Sequence, residues 1–317
     1  MRQRARDLFS KIKSKNTVDF LAEKSAFINA QVIPWVLRLV MLGLGLSLTL
    51  ADFKRVIAFP KAAAIGLTAQ LIGLPLTAFG LVWIFDPAPT VAVGLIILAI
   101  CPSGVTSNAY TFASRGDVPL CVTLAAITST ITVFTIPFLT FLALQTFMDS
   151  AERPILPVLP MLKDLMLMTL VPVALGMLIR YFKPEMARKA EEPIRKVVLY
   201  LLYLVLGLGV LSSWDVIMAE ITSVGPLVLI MNLLTMGLGF GLAKWFGLPA
   251  TQVVTITYEV GVQNLALAFA ITFSILQNPA LAVAALIYAA IMPATALLFI
   301  RFARRMIESE AADQAAT

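Results

Sequence analysis

The sequence predicts an all-α polytopic membrane protein of nine transmembrane helices, and three observations carry that prediction. The chain is 60% hydrophobic and only 13% charged, with a mean hydropathy of +0.92, whereas a soluble domain is about a quarter charged. Apolar stretches long enough to cross about 30 Å of hydrocarbon fill nearly everything after residue 32. Two of these stretches are interrupted at mid-span by polar clusters, "CPSGVTSN" and "EVGVQN", the second carrying a carboxylate.

In chain order the spans are read at 33–52, 62–85, 91–114, 118–146, 158–181, 197–219, 225–246, 249–276 and 280–303, joined by short connectors. They form a single transmembrane domain over 33–303, with a basic N-terminal segment at 1–32 and a tail at 304–317. The first segment has no apolar run to mark a cleaved signal and is too polar to span, so an amphipathic, interfacial placement is expected. Histidine is absent, and the two cysteines, Cys101 and Cys121, both fall inside apolar spans. That argues against a disulfide framework, a zinc site and His-dependent acid/base chemistry, and so against an enzyme.

Lysine and arginine set the orientation, because short cytoplasmic loops retain positive charge. Fourteen of these residues, from Lys54 to Arg305, fall on one side of the membrane; Arg153 and Lys163 fall on the other. The C-terminus is therefore expected in the cytoplasm of a multi-pass cell-membrane protein. An odd number of spans then puts the N-terminus outside, yet residues 1–15 carry six positive charges that prefer the inside. The side of the N-terminus stays open. The net charge of +6 reads as topology and contact with the lipid bilayer, with no nucleic acid needed.

Spans one to four and six to nine run in opposite orientations, which predicts inverted repeats over 33–146 and 158–303, the second including span five. In each unit the third span is the interrupted one. Pro102 removes a backbone donor, and Gly104 and Gly261 relax the helix, so both clusters read as unwinding points. A broken helix frees carbonyls at one half-end and amides at the other, and in lipid these need an ion, a substrate or a facing broken helix as partner. Glu259 is the most telling residue, since a mid-membrane carboxylate costs on the order of 3 kcal/mol to insert. Gln263 is four residues on, Ser107 and Asn108 stand at the other break, and Gln70 lies just before a kink at Pro75. These are the hard oxygen donors that suit Na⁺.

The stretches "IPWVLRLVMLGLGLSLTLADFKRV", "AICPSGVTSNAYTFASRGDV" and "TYEVGVQNLALA" resemble, in order and spacing, the bile acid:sodium symporter family over about residues 33–303. The resemblance implies a core and a panel domain, two discontinuous helices crossing in the core, and Na⁺-coupled uptake of organic anions. It puts one sodium site on Gln70, Glu259, Val260, Val262 and Gln263, the valines through their carbonyls. It puts a second on Ser107, Asn108 and Glu259 with two hydroxyl positions that are Cys121 and Ala125 here; Thr128, a turn further on, is the candidate to compensate. The substrate is expected near Ser103, Val105, Thr106, Asn108 and Asn264. Bile acids, small carboxylates such as pantoate or pyruvate, and sulfated anions all fit. The resemblance implies no cofactor beyond Na⁺ as coupling ion.

Arg38 departs from the family pattern. It either snorkels to the outer interface or faces the inter-domain cavity and pairs with a substrate carboxylate. Three further readings stay open: coupling to H⁺ at Glu259, anion export, and a membrane sensor that kept the fold without transport. The charge bias makes one direct prediction. A green fluorescent protein fused after Thr317 will fluoresce and an alkaline phosphatase fusion there will be inactive; the reverse pattern overturns the orientation.

Overall fold

A computed structural model describes residues 32–316 apart from 152, 155 and 213. Residues 1–31, and with them nearly all of the basic N-terminal segment, lie outside the described residues. The described chain is almost wholly helical: α1 Ile33–Ser47, α2 Leu50–Ala58, α3 Pro60–Phe85, α4 Pro89–Ile100, α5 Val105–Ala113, α6 Val118–Phe147, α7 Val158–Phe182, α8 Pro184–Ser212, α9 Trp214–Trp245, α10 Ala250–Gly261, α11 Leu265–Ile275 and α12 Val283–Ala316. Among the described residues five helical stretches are long and apolar enough to cross a membrane: Pro60–Phe85, Val118–Phe147, Val158–Phe182, Glu220–Trp245 and Pro279–Gln314. Ile33–Ser47, Pro89–Ile100 and Leu265–Ile275 are shorter apolar helices.

Four expected spans differ from continuous helices. The sixth, expected at 197–219, is covered by α8 only to Ser212 and then by α9 from Trp214, which runs on without a break through the connector expected before 225. The first stops at Ser47, and α2 restarts at Leu50. The third divides into α4 and α5, and the eighth into α10 and α11, each at its polar cluster. Cys101 precedes a proline, which disfavours the helical region for it, and it is extended at φ −68°, ψ 147°. Gly104 is extended too, at φ −88°, ψ 159°, and so is Val262, at φ −117°, ψ 100°.

The two divided helices form the buried centre. Residues 91–104 and 252–273 are buried without exception, so lipid reaches neither break. Other helices show it large apolar side chains instead, such as Trp83, Phe138 and Leu298. Trp35, Trp83 and Trp245, all exposed, stand near helix ends, as interfacial tryptophans do.

Prolines shape α3 and α7 in the same way. Each contains a π-helical turn, Ala69–Gly73 and Met166–Leu170, ending two residues before Pro75 and Pro172. A proline cannot donate to the carbonyl four residues back, and one extra residue in the preceding turn absorbs the mismatch. The kink expected at Pro75 is thus a π turn, and Gln70 lies in it.

Helix α1 packs most extensively on α7 and α8, while α9 packs on α10 and α12, and α4 on α3 and α6. The contact of α1 with α7 is a close one. A Cβ at Gly45 would drive into the Val173 carbonyl, and one at Gly176 would stand 2.5 Å from the Leu42 carbonyl oxygen. Both obstacles are backbone, so no rotamer change relieves them. Small residues that let backbones approach are the usual means of helix association in lipid. Gly176→Ala should therefore lower stability by about 1–3 kcal/mol, seen as a depressed melting temperature. Gly80→Ala, with nothing within 4 Å of the new Cβ, should leave it in place. Equal melting temperatures for the two variants would refute the close contact.

Candidate functional site

The two breaks meet. Ser103 and Gln263 form an isolated antiparallel bridge, in which the Gly104 amide donates to the Val262 carbonyl at 3.0 Å and the Asn264 amide to the Pro102 carbonyl at 2.9 Å. Each break thus supplies the partner that the other lost when its helix stopped. Neither glycine is there for a left-handed conformation, as Gly104 has a negative φ. They make room: a Cβ on Gly104 would come within 3.0 Å of the Gln263 carbonyl oxygen, and one on Gly261 would collide with Met236.

Glu259 sits in the last turn of α10 and is fully buried. Ser103 Oγ donates to its Oε1. Around Oε2 stand Cys121 Sγ at 3.4 Å and Ser107 Oγ at 3.5 Å. Ser107 is engaged more closely with the Gly104 carbonyl, at 2.7 Å, and Thr111 Oγ1 donates to Cys121 Sγ at 3.5 Å. Charge on the carboxylate therefore faces three weak or neutral donors, and no salt-bridge partner among the described residues reaches it. An ionised carboxylate in such a place calls for a cation.

On the side of α3, Gln70 Nε2 donates to the Cys101 carbonyl at 3.1 Å and to Gln263 Oε1 at 3.3 Å. Gln263 Nε2 in turn donates to the Val260 carbonyl at 2.7 Å. Gln70 Oε1 is buried with no protein partner. It is an oxygen without a donor, in the same network as a carboxylate without a counter-ion among the described residues. At the breaks two more buried polar atoms lack partners, Asn108 Oδ1 and Asn264 Nδ2. Asn264 Oδ1 caps α11 by accepting from the Leu267 amide at 3.1 Å.

The structure thus brings Gln70, Glu259, Val260, Val262 and Gln263 into one cluster with Ser103, Ser107 and Cys121. Ser103, expected near substrate, is engaged with Glu259 instead and is 3% exposed. Val105 and Thr106 are half-buried in the first turn of α5. Thr128 Oγ1 donates to the Ala125 carbonyl at 3.2 Å, an ordinary helical back-bond, so its hydroxyl is already engaged. Arg38 lies on α1 with its guanidinium 4.8 Å from the ring centre of Trp35, a tryptophan that is 60% exposed.

Sequence reasoning missed a second shell at the α10 break. Asn232 of α9 and Tyr288 of α12, both fully buried, reach the Gly261 carbonyl at 3.1 and 2.8 Å. Asn232 had a signal: it is a lone amide in the apolar run "PLVLIMNLL", where a polar side chain marks a helix contact.

The comparisons with known proteins agree on one family. The model described as "Sodium Bile acid symporter family" matches residues 34–220. An "Uncharacterized sodium-dependent transporter YocS" of Bacillus subtilis (strain 168) is 28% identical over 237 residues, 74% of this chain and 71% of that one. The human "Ileal sodium/bile acid cotransporter" is 27% identical over 238 residues, 74% of this chain and 66% of that one. The "Probable sodium/metabolite cotransporter BASS1, chloroplastic" of Arabidopsis thaliana is 25% identical over 78% of this chain and 60% of that one. The chain therefore spans somewhat less than two thirds of the latter two.

The hydrogen bonds on Glu259 rank two substitutions. Ser103→Ala strips Oε1 of its donor and should cost about 1–3 kcal/mol. Ser107→Ala removes only a 3.5 Å contact from Oε2, together with a local back-bond, and should cost less. Melting temperatures measured in Na⁺-free buffer decide it, and the opposite order would show that Ser103 is not the principal donor.

Proposed function

Because the chain belongs to the sodium bile acid symporter family, we propose that it is a sodium-coupled secondary transporter of organic anions, working by alternating access. One observation carries the reading. At the crossing of two broken helices a fully buried carboxylate, Glu259, and a buried amide oxygen with no partner, Gln70 Oε1, belong to one network, joined through Ser103, its bridge to Gln263, and Gln263 itself. A monovalent cation completes both. In this reading Na⁺ takes the Glu259 carboxylate, the Gln70 and Gln263 amide oxygens, and the carbonyls of Val260 and Val262. Those carbonyls each accept one hydrogen bond, from Gln263 Nε2 and the Gly104 amide, and each keeps a second lone pair. The reading assigns one Na⁺ to this side. The thiol of Cys121 is a poor ligand for a hard cation, and Ala125 has no side-chain oxygen to offer, so the second site lacks both of its expected hydroxyls.

The anion belongs at the half-helix N-termini. The first turns of α5 and α11 begin at the crossing, where their dipoles favour a carboxylate or sulfonate. Asn264 Nδ2 is a donor with no partner, of the kind an anionic oxygen would occupy. Val105, Thr106 and Asn108 flank the same turn, and Arg38 is a more remote candidate. Neutralising Glu259 ties the breaks together in the geometry that receives the anion, so each ligand raises the affinity of the other.

The nine spans and their repeats over 33–146 and 158–303 belong to the same proposal. A core of α3–α6 and α9–α12 would carry the site, and a panel of α1, α7 and α8 would face it. The packing of α1 on α7 and α8 supports that division. The proposal includes a cell-membrane location with the C-terminus inside.

Stability and flux test the reading together. The purified protein should melt higher in Na⁺ than in K⁺ or choline, by about 2.7 kcal/mol at a hundredfold excess over Kd, and Glu259→Gln should abolish the difference. A panel of taurocholate, pantoate and pyruvate should add stabilisation only with Na⁺ present, and the binder should accumulate in proteoliposomes under a Na⁺ gradient. Accumulation that ignores Na⁺ and follows a pH gradient would transfer the coupling to H⁺; binding without flux would make the protein a sensor.

A further inference from the structure

The α10 break has a grip on it from outside the crossing. Helix α10 ends at Gly261, so the Val260 and Gly261 carbonyls have no helical donors, the amides four residues on being turned to Pro102 and Gln263. Their partners can be followed one by one. The Tyr258 carbonyl receives the Val262 amide at 2.9 Å, and the Val260 carbonyl receives Gln263 Nε2. The Gly261 carbonyl receives two donors, Tyr288 Oη at 2.8 Å and Asn232 Nδ2 at 3.1 Å. The same Asn232 amide nitrogen also donates to Tyr288 Oη at 2.9 Å. Thr295 Oγ1 lies 2.6 Å from Asn232 Oδ1, which fixes which way the amide faces.

We infer that Asn232 and Tyr288 are positioning residues that set the cation affinity of the crossing by holding the Gly261 carbonyl. The inference rests on the sodium site proposed above and adds to it two residues that would not touch the ion. The peptide joining Gly261 to Val262 is planar, and it is held at both ends: its oxygen by Asn232 and Tyr288, its N–H by the Tyr258 carbonyl. The proposed carbonyl ligands, Val260 and Val262, belong to the peptides immediately before and after it. Position 261 must be glycine, because Met236 of α9 leaves no room for a Cβ. Glycine is also the residue whose dihedrals are softest. Without the grip, the close packing of α9 would leave a flexible joint next to the Val260 carbonyl. With it, the two carbonyls keep their directions before any ion arrives.

Asn232 and Tyr288 also explain themselves poorly as simple core polar residues. A lone amide on α9 and a tyrosine on α12 converge on a single carbonyl that only the break exposes. Three helices therefore meet at one main-chain oxygen.

The test separates affinity from stability. Wild type, Tyr288→Phe, Thr295→Val and Asn232→Leu are purified, and the melting temperature of each is titrated with NaCl at constant ionic strength made up with KCl. The expected result is a half-saturating Na⁺ concentration raised about three- to tenfold in Tyr288→Phe, as the loss of one hydrogen bond implies. Thr295→Val should shift it in the same direction, and Asn232→Leu further, with the limiting Na⁺ shift at saturation retained. If Asn232→Leu does not fold, the other two variants decide, since both keep Asn232. Half-saturation within twofold of wild type in Tyr288→Phe and Thr295→Val, with only the K⁺ melting temperature lowered, would make the residues merely structural and overturn the inference. A wild type that does not respond to Na⁺ overturns the sodium site and this inference with it. A responsive wild type with unshifted variants overturns this inference alone.

Discussion

The constraint on which the rest of this structure depends is the satisfaction of backbone at mid-membrane. In an apolar interior an unpaired amide or carbonyl costs several kcal/mol, which is why spanning segments are normally unbroken helices. This chain breaks two of them and recovers the loss by laying one break against the other. Gly104 and Asn264 donate, Val262 and Pro102 accept, and two residues of β-like pairing stand at the centre of an all-helical protein. Burial of 91–104 and 252–273 follows from that need. Only a shell of other helices keeps the irregular backbone from lipid, so the helices with large exposed apolar side chains are arranged around the crossing.

Once the breaks are paired, what remains unsatisfied is informative. The freed carbonyls of Pro102, Val260, Gly261 and Val262 have partners, and what lacks one at the breaks and on Gln70 is in side chains: Gln70 Oε1, Asn108 Oδ1 and Asn264 Nδ2. Glu259 adds a charge with hydroxyl and thiol neighbours but no basic one. A protein that buried these groups for stability alone would have paired them with each other. An apolar core of the same shape would be at least as stable. Leaving oxygens and one amide donor open around the crossing is the arrangement that the proposed cation and anion would complete.

The sequence made the two breaks legible because they violate its dominant pattern. Proline, glycine and a carboxylate in otherwise apolar runs are local features, visible without knowing what packs on what. For the same reason Gln70, Glu259 and Gln263 each stood out; their grouping into one site is what the family resemblance implied. What escaped depends on tertiary approach. The bond from the Ser103 hydroxyl to a carboxylate 156 residues away is such a contact, since nothing in "CPSG" announces it. The glycines were read as helix relaxers, whereas the steric demand at Gly261 comes from Met236 on another helix. The π turns of α3 and α7 have a proline signature, but periodicity cannot distinguish a kink from an inserted residue. The gap between α1 and α2 was likewise invisible, because Leu48 and Thr49 carry the same apolar character as their surroundings.

The crossing also has to survive motion, and α12 bears on how. Its 34 residues extend about 50 Å at 1.5 Å per residue, well beyond about 30 Å of hydrocarbon. The part that projects turns back to the divided helices. Glu310 accepts from the Ala250 amide at 2.6 Å, at the N-terminus of α10, and Arg304 donates to the Ala113 carbonyl at 2.8 Å, at the C-terminus of α5. Each charge is of the sign its helix end prefers. The exposed pair Arg115–Glu308, at 3.0 Å, adds about 0–1 kcal/mol at most. The two divided helices are therefore joined at their middles by the crossing and at their outer ends by one helix, while Tyr288 of that same helix holds the Gly261 carbonyl. Such a unit resists internal shear, so a conformational change that preserved the site would have to slide it as a body. The surface left for sliding is its contact with α1, α7 and α8, and within that group the glycine-mediated approach of α1 to α7 is rigid in turn. If the proposed alternating access operates, this distribution of tight contacts would make it two stiff bodies moving past each other.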